Sequence, residues 1–143
     1  MVALENEIRN LKQETAYVVD KNGGLHKAEG TAAGVSLESM DLCGAVITHN
    51  HPADESGFSD SFGKDDFMVL QAHPEIKELR AVDAKYTYRL RLLKALDLSY
   101  QEADHGGMEI ALESGNYEEP QHNAMIWLEK EGYIEYERTV SFR

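Results

Sequence analysis

The stretch Leu42-Cys43-Gly44-Ala45-Val46-Ile47-Thr48-His49-Asn50-His51-Pro52 joins a near-continuous apolar run to a pair of imidazoles. An uninterrupted apolar run of this length is expected of a central strand covered on both faces. Cys43 reads within it as a small buried hydrophobe. In extended backbone, residues i and i+2 point the same way, so His49 and His51 are expected to project together from the end of a rigid strand. Two nitrogens on one side of a site are the start of a tetrahedral zinc shell. A third ligand must come from elsewhere, leaving a fourth position for water. The segment from Asp54 to Asp66 is rich in carboxylates and enters a helix. Oxygen ligands beside two imidazoles favour a catalytic zinc site over a closed structural one, which usually takes cysteines.

Working outward, Val2 to Gln13 reads as a short amphipathic helix, with Leu4, Ile8 and Leu11 at helical spacing. Thr15 to Asp20 is β-rich, Lys21-Asn22-Gly23-Gly24 is a turn signal, and Leu25 to Glu29 returns as the second arm of a hairpin. Lys64 to Ala72 is helical and stops at His73-Pro74. Leu79 to Asp83 and Tyr86 to Leu93 are strands, the second with one wet face. From Asp97 the pattern turns helical. Asn123 to Glu131 is a helix with Gly132 as its stop and Trp127 as a core anchor, and Tyr133 to Val140 is a final short strand or tail. Gly106-Gly107 reads as a turn. Strands and helices mixed along one chain predict a single α/β layered domain, a mixed central sheet flanked by helices.

The 143 residues suit one domain with a substantial core. The net charge of −12 argues against nucleic acid as a partner. The densest basic group, Arg80, Lys85, Arg89, Arg91 and Lys94, is spread along a strand rather than gathered in a patch. One cysteine excludes an intramolecular disulfide. No apolar stretch approaches the roughly 18 residues of a membrane span. Met1 to Lys12 is charged throughout, unlike a signal peptide, so the expected location is cytoplasmic. His26, His73, His105 and His122 are isolated and read as ordinary histidines.

Taken together, Ile47-Thr48-His49-Asn50-His51-Pro52 and Ser61-Phe62-Gly63-Lys64-Asp65-Asp66-Phe67 resemble the JAB/MPN metalloproteases, which carry the JAMM motif. That motif is an early glutamate, then His-X-His, usually Pro, a loop, and Ser-X-X-Asp opening a helix. The resemblance covers about residues 13–93, whereas residues from about 97 to 143 read as a helical extension outside it. It implies a fold of the cytidine-deaminase-like type and hydrolysis of a peptide or isopeptide bond in a peptide or protein substrate. Zn²⁺ would be held by His49, His51 and Asp66, with Asp65 the competitor for the third place. Glu14, entering the first strand, would be the general base, with Glu29 and Glu38 as alternatives. Two departures stand out. The motif serine, an oxyanion donor, aligns with Gly63, and the loop before it is long. Ser61 or Ser59 would have to supply the hydroxyl from a shifted loop. Without such a donor the same fold would serve as a non-catalytic zinc- or peptide-binding module.

Overall fold

A computed structural model describes residues 1–29, 41–54 and 59–141. In chain order the elements are α1 (Val2–Ile8), β1 (Thr15–Val19), β2 (Leu25–Glu29), β3 (Val46–Asn50), α2 (Lys64–Ala72), β4 (Glu78–Val82), β5 (Tyr86–Leu92), α3 (Tyr100–Ser114), α4 (Pro120–Lys130) and β6 (Ile134–Val140). The strands form one mixed sheet in the order β2-β1-β3-β4-β5-β6. β3 and β4 are parallel, and the other neighbours are antiparallel. This is an α/β single domain. Among the described residues, no helix is long and apolar enough to cross a membrane.

The two faces of the sheet are built differently. Pairing sets Val18, Ile47, Leu79 and Leu90 side by side on one face, where they meet Phe67 and Leu70 of α2, Ala103 of α3, and Met125 and Leu128 of α4. On the other face Ile8 of α1 packs with Tyr17 and Val82. There Glu5, only 1% exposed, accepts from Arg80 Nε and Nη2, each at 2.7 Å, and from Thr48 Oγ1 at 2.7 Å. Arg9 clamps the end of α1, donating to the Asp83 and Tyr86 carbonyls at 2.9 and 2.8 Å.

Two sequence expectations need correcting. Cys43 is exposed: the apolar run opens as a turn, with Gly44 at φ +68° and Asp41 Oδ1 accepting from the Cys43 amide at 3.1 Å. The strand begins only at Val46. Gly106 and Gly107 are not a turn but lie buried within α3. A Cβ on Gly106 would fall 2.0 Å from the Trp127 ring, and one on Gly107 would fall 2.8 Å from the Ala124 backbone. The glycines are there for close approach of α3 to α4 rather than for a turn. α3 is bounded by a Ser99–Glu102 capping box and by Gly115 in the left-handed conformation. The segment beyond residue 97 also adds β6, which pairs with β5 from Tyr86↔Val140 to Leu92↔Ile134. It is therefore part of the sheet.

Candidate metal centre

β3 ends at the edge of a cleft, and α2 starts beside it. In open α/β sheets ligands gather at this carboxyl end of the strands. His49 is paired with Ala16 on one side and Ala81 on the other, two small residues that leave room for its ring. His51 follows the strand, its amide donating to the Val82 carbonyl at 2.8 Å. Phe62 lies against both rings, with centroids 6.4 Å from each. The expected convergence of the two imidazoles is found: their Nε2 atoms are 2.9 Å apart.

Asp66 completes the group, and Asp65 is exposed to solvent. Asp66 Oδ1 is 2.8 Å from His49 Nε2, and its Oδ2 is 3.2 Å from His51 Nε2. Oδ2 also accepts the Gly63 amide at 3.1 Å, which fixes the carboxylate at the start of α2. The helix N-terminus further favours its charge. One aspartate thus both caps the helix and faces the imidazoles. Among the described residues, His49, His51 and Asp66 form a group able to hold a metal ion.

The donor set fits zinc. A tetrahedral shell with bonds of about 2.0–2.1 Å has ligand–ligand edges of about 3.3 Å. The three contacts of 2.8, 2.9 and 3.2 Å come near that spacing. Two ring nitrogens 2.9 Å apart also need a hydrogen between them. A cation takes the place of such a proton when it binds. Electrostatics point the same way. Burial disfavours the charged form of His51, yet the Asp66 carboxylate, the Asp60 carbonyl and Glu14 outweigh it and hold its pKa up at about 9. Burial also acts to raise the Asp66 pKa, but His49 and His51 keep it far below the usual carboxylate range.

Around this group the supporting contacts are specific. His51 Nδ1 lies 3.0 Å from the Asp60 carbonyl, so Nδ1–H donates and Nε2 is directed at the site. The Asp60 carboxylate accepts the backbone amides of Ser61, Gln121 and His122 at 2.7, 3.0 and 3.1 Å. A single buried residue therefore ties the loop of His51 to the first turn of α4. Asn50, fully buried between the two histidines, points to the opposite face. Its Oδ1 accepts from the Thr15 amide at 2.6 Å, and its Nδ2 donates to the Leu11 and Gln13 carbonyls at 3.1 and 3.0 Å. That clamp holds the segment carrying Glu14 against the end of β3.

Glu14 lines a cleft of about 430 Å³ together with His51, Asp66, Gly63 and Gln121. Burial raises its pKa, and the charges of Asp66 and Asp65 add to this, while His49 and His51 act in the other direction. Of the alternatives, Glu38 and the Glu29 side chain lie outside the described residues. The serines are placed differently from the expectation. Ser61 is fully buried and its Oγ is 2.7 Å from the Tyr136 hydroxyl, which in turn is 2.6 Å from His122 Nδ1. It is not among the residues lining the cleft with Glu14. Ser59 reaches the cleft, but its hydroxyl donates to Asp83 Oδ2 at 2.8 Å.

No family model matches the chain, and no match was found among the curated proteins or the solved structures. Asp60, Asn50 and Gln121, which support or line the site, and Tyr136, which engages Ser61, were not singled out from the sequence. Asn50 lies inside the motif, but its role depends on which face it takes. The other three act through contacts with chain far away in sequence, for which the sequence holds no local signal. His122, read as an isolated histidine, is buried against Tyr136.

Proposed function

We propose that this chain is a zinc-dependent hydrolase of the JAB/MPN type that cleaves a peptide or isopeptide bond in a peptide or protein substrate. The reading rests chiefly on one observation: His49, His51 and Asp66 converge with edges of 2.8–3.2 Å, and His51 and Asp66 line a cleft together with Glu14. A bound zinc ion supplies a water acidic enough to ionise near pH 7 and polarises a carbonyl. The chain's own groups do the rest. Glu14 takes a proton from the attacking water and hands it to the departing amine. The carbonyl carbon gains the hydroxyl as its bond to nitrogen breaks, giving a carboxylic acid and an amine.

The surroundings suit an extended substrate. A second cleft of about 530 Å³, lined in part by Leu11, Lys12 and Ala84, shares His51, Pro52 and Asp54 with the first. Chain could thus run to either side of the reacting bond. One observation favours the alternative, a non-catalytic zinc- or peptide-binding module: the Ser61 hydroxyl is engaged with Tyr136 rather than turned to the cleft.

The test uses metal-free protein, zinc-reloaded protein and a Glu14→Gln variant. Substrates are fluorescein-labelled casein and a fluorogenic peptide with a glycine–lysine isopeptide bond. Cleavage restored by zinc is expected, with a loss of about 10²–10⁴-fold in Glu14→Gln at unchanged zinc content. Zinc uptake without cleavage of either substrate leaves the binding module as the function.

A further inference from the structure

Addition of water to an amide puts negative charge on the carbonyl oxygen, and a donor fixed in the cleft stabilises that charge. The Ser59 hydroxyl is committed to Asp83 and the Gly63 amide to Asp66. Lys64 also lines the cleft, but it is exposed, where Gln121 is half-buried, and its ammonium stays in water. Gln121 differs from these. It lines the cleft, and among the described residues its carboxamide has no hydrogen-bond partner. A Cβ on Gly63 would stand 3.1 Å from Gln121 Nε2 and 3.3 Å from its Oε1. The carboxamide therefore occupies the space that a side chain at residue 63 would need. Its backbone is held in place as well. Asp60 accepts the Gln121 amide at 3.0 Å through its carboxylate, and His51 Nδ1 at 3.0 Å through its carbonyl. The same residue thus sets both a metal-facing imidazole and the start of α4.

We propose that Gln121 is a further catalytic residue, donating its carboxamide N–H to the substrate carbonyl oxygen as charge develops there. The inference rests on the hydrolase reading above. It also gives a physical reason for glycine at residue 63, since a larger residue would displace the amide. With neither amide atom bonded, the group can turn its NH₂ toward an anion.

The experiment compares wild type with Gln121→Ala, Gln121→Met, Gln121→Ala/Gly63→Ser and Lys64→Met. Zinc affinity is read by competition with a chromophoric chelator. Affinity for acetohydroxamate, a zinc-chelating anion, is read by calorimetry on zinc-loaded protein, and casein cleavage is followed in parallel. Zinc affinity is expected to stay within about twofold of wild type, because Gln121 is not in the His49–His51–Asp66 group that would hold the ion. Hydroxamate binding is expected to weaken about tenfold in both single Gln121 variants. Cleavage should fall about 10²–10³-fold. Gln121→Met keeps the length and the contact with Gly63, so its loss separates the donor from packing. Adding Gly63→Ser to Gln121→Ala should recover part of both losses, and Lys64→Met should lose less than either. Unchanged hydroxamate affinity and cleavage in Gln121→Ala, or a loss carried by Lys64→Met instead, would overturn the proposal. Wild-type protein that takes up neither zinc nor hydroxamate is a different result: it removes the hydrolase reading and the role of Gln121 with it.

Discussion

Thr48 and His49 are neighbours in β3, and their side chains leave the sheet on opposite faces toward two different carboxylates. Glu5, below, is closed off. It is 1% exposed and is bonded by Nε and Nη2 of Arg80 and by Thr48. Asp66, above, is held by one backbone amide, and its other contacts are two imidazole nitrogens beside an open cleft. An arginine partner keeps its proton throughout the accessible pH range, so the Glu5 pair can only fix structure. Imidazoles can release a proton to solvent and take a metal ion in its place, so the Asp66 group can exchange what it holds. The difference teaches that burial of a carboxylate says little about its role. The chemistry of its partners, and whether solvent reaches them, says more.

The largest effect is expected on the closed side. Arg80→Met leaves Glu5 buried with only Thr48. Breaking a buried pair in this way costs about 3–5 kcal/mol, to be read as a lower urea midpoint at unchanged slope. Zinc affinity should not change; a large change would mean that the two faces are coupled rather than separate. On the open side, zinc should raise stability by about 2.7 kcal/mol at a free concentration 100 times its Kd. The gain should vanish in Asp66→Ala, and thermal melts with and without the ion check this.

Asn50, between the two histidines in sequence but turned to the face of Thr48, sharpens the contrast further. Asn50→Ala strands the Thr15 amide and the Leu11 and Gln13 carbonyls, at a cost of about 1–3 kcal/mol. Because the clamp holds the Glu14 segment, cleavage should fall well beyond any change in zinc affinity. An equal fall in both would assign Asn50 to the ligands rather than to the base. The smallest effect concerns pH. Burial and the Arg138 charge lower the pKa of His122, against the opposing charges of Glu119 and Asp60. The unfolded chain therefore takes up the proton first as pH falls, and His122 removes stability below its ordinary value of 6.5. Denaturant melts between about pH 8 and about pH 5 should show a shallower decline in His122→Asn than in wild type. Parallel curves would show that the ring is not shielded.

How much of this was legible in the sequence depends on the range of the interaction. The strand that carries His49, with His51 just past its end, the helix with Asp66 in its first turn and the turn at Gly23 follow from periodicity and turn chemistry, although the strand starts later than the apolar run. The i, i+2 projection of the imidazoles follows as well. The choice between Asp66, the favoured ligand, and Asp65 has no local signal, because both stand in the first turn of α2. It is decided by which of them the end of β3 faces. Gly106-Gly107 misled because the tightest packing in a helix pair uses the same residue as a turn. Cys43 misled because an apolar run does not show where extended backbone begins. Asp60 and Gln121 were out of reach, since 61 residues separate the two ends of their hydrogen bond.

Metal content measures the central claim most directly. Purified protein and the His49→Ala/His51→Ala variant are dialysed against zinc and then against metal-free buffer, and bound zinc is counted by elemental analysis. The account predicts about one ion per wild-type chain and almost none in the variant. Equal zinc in both would contradict it.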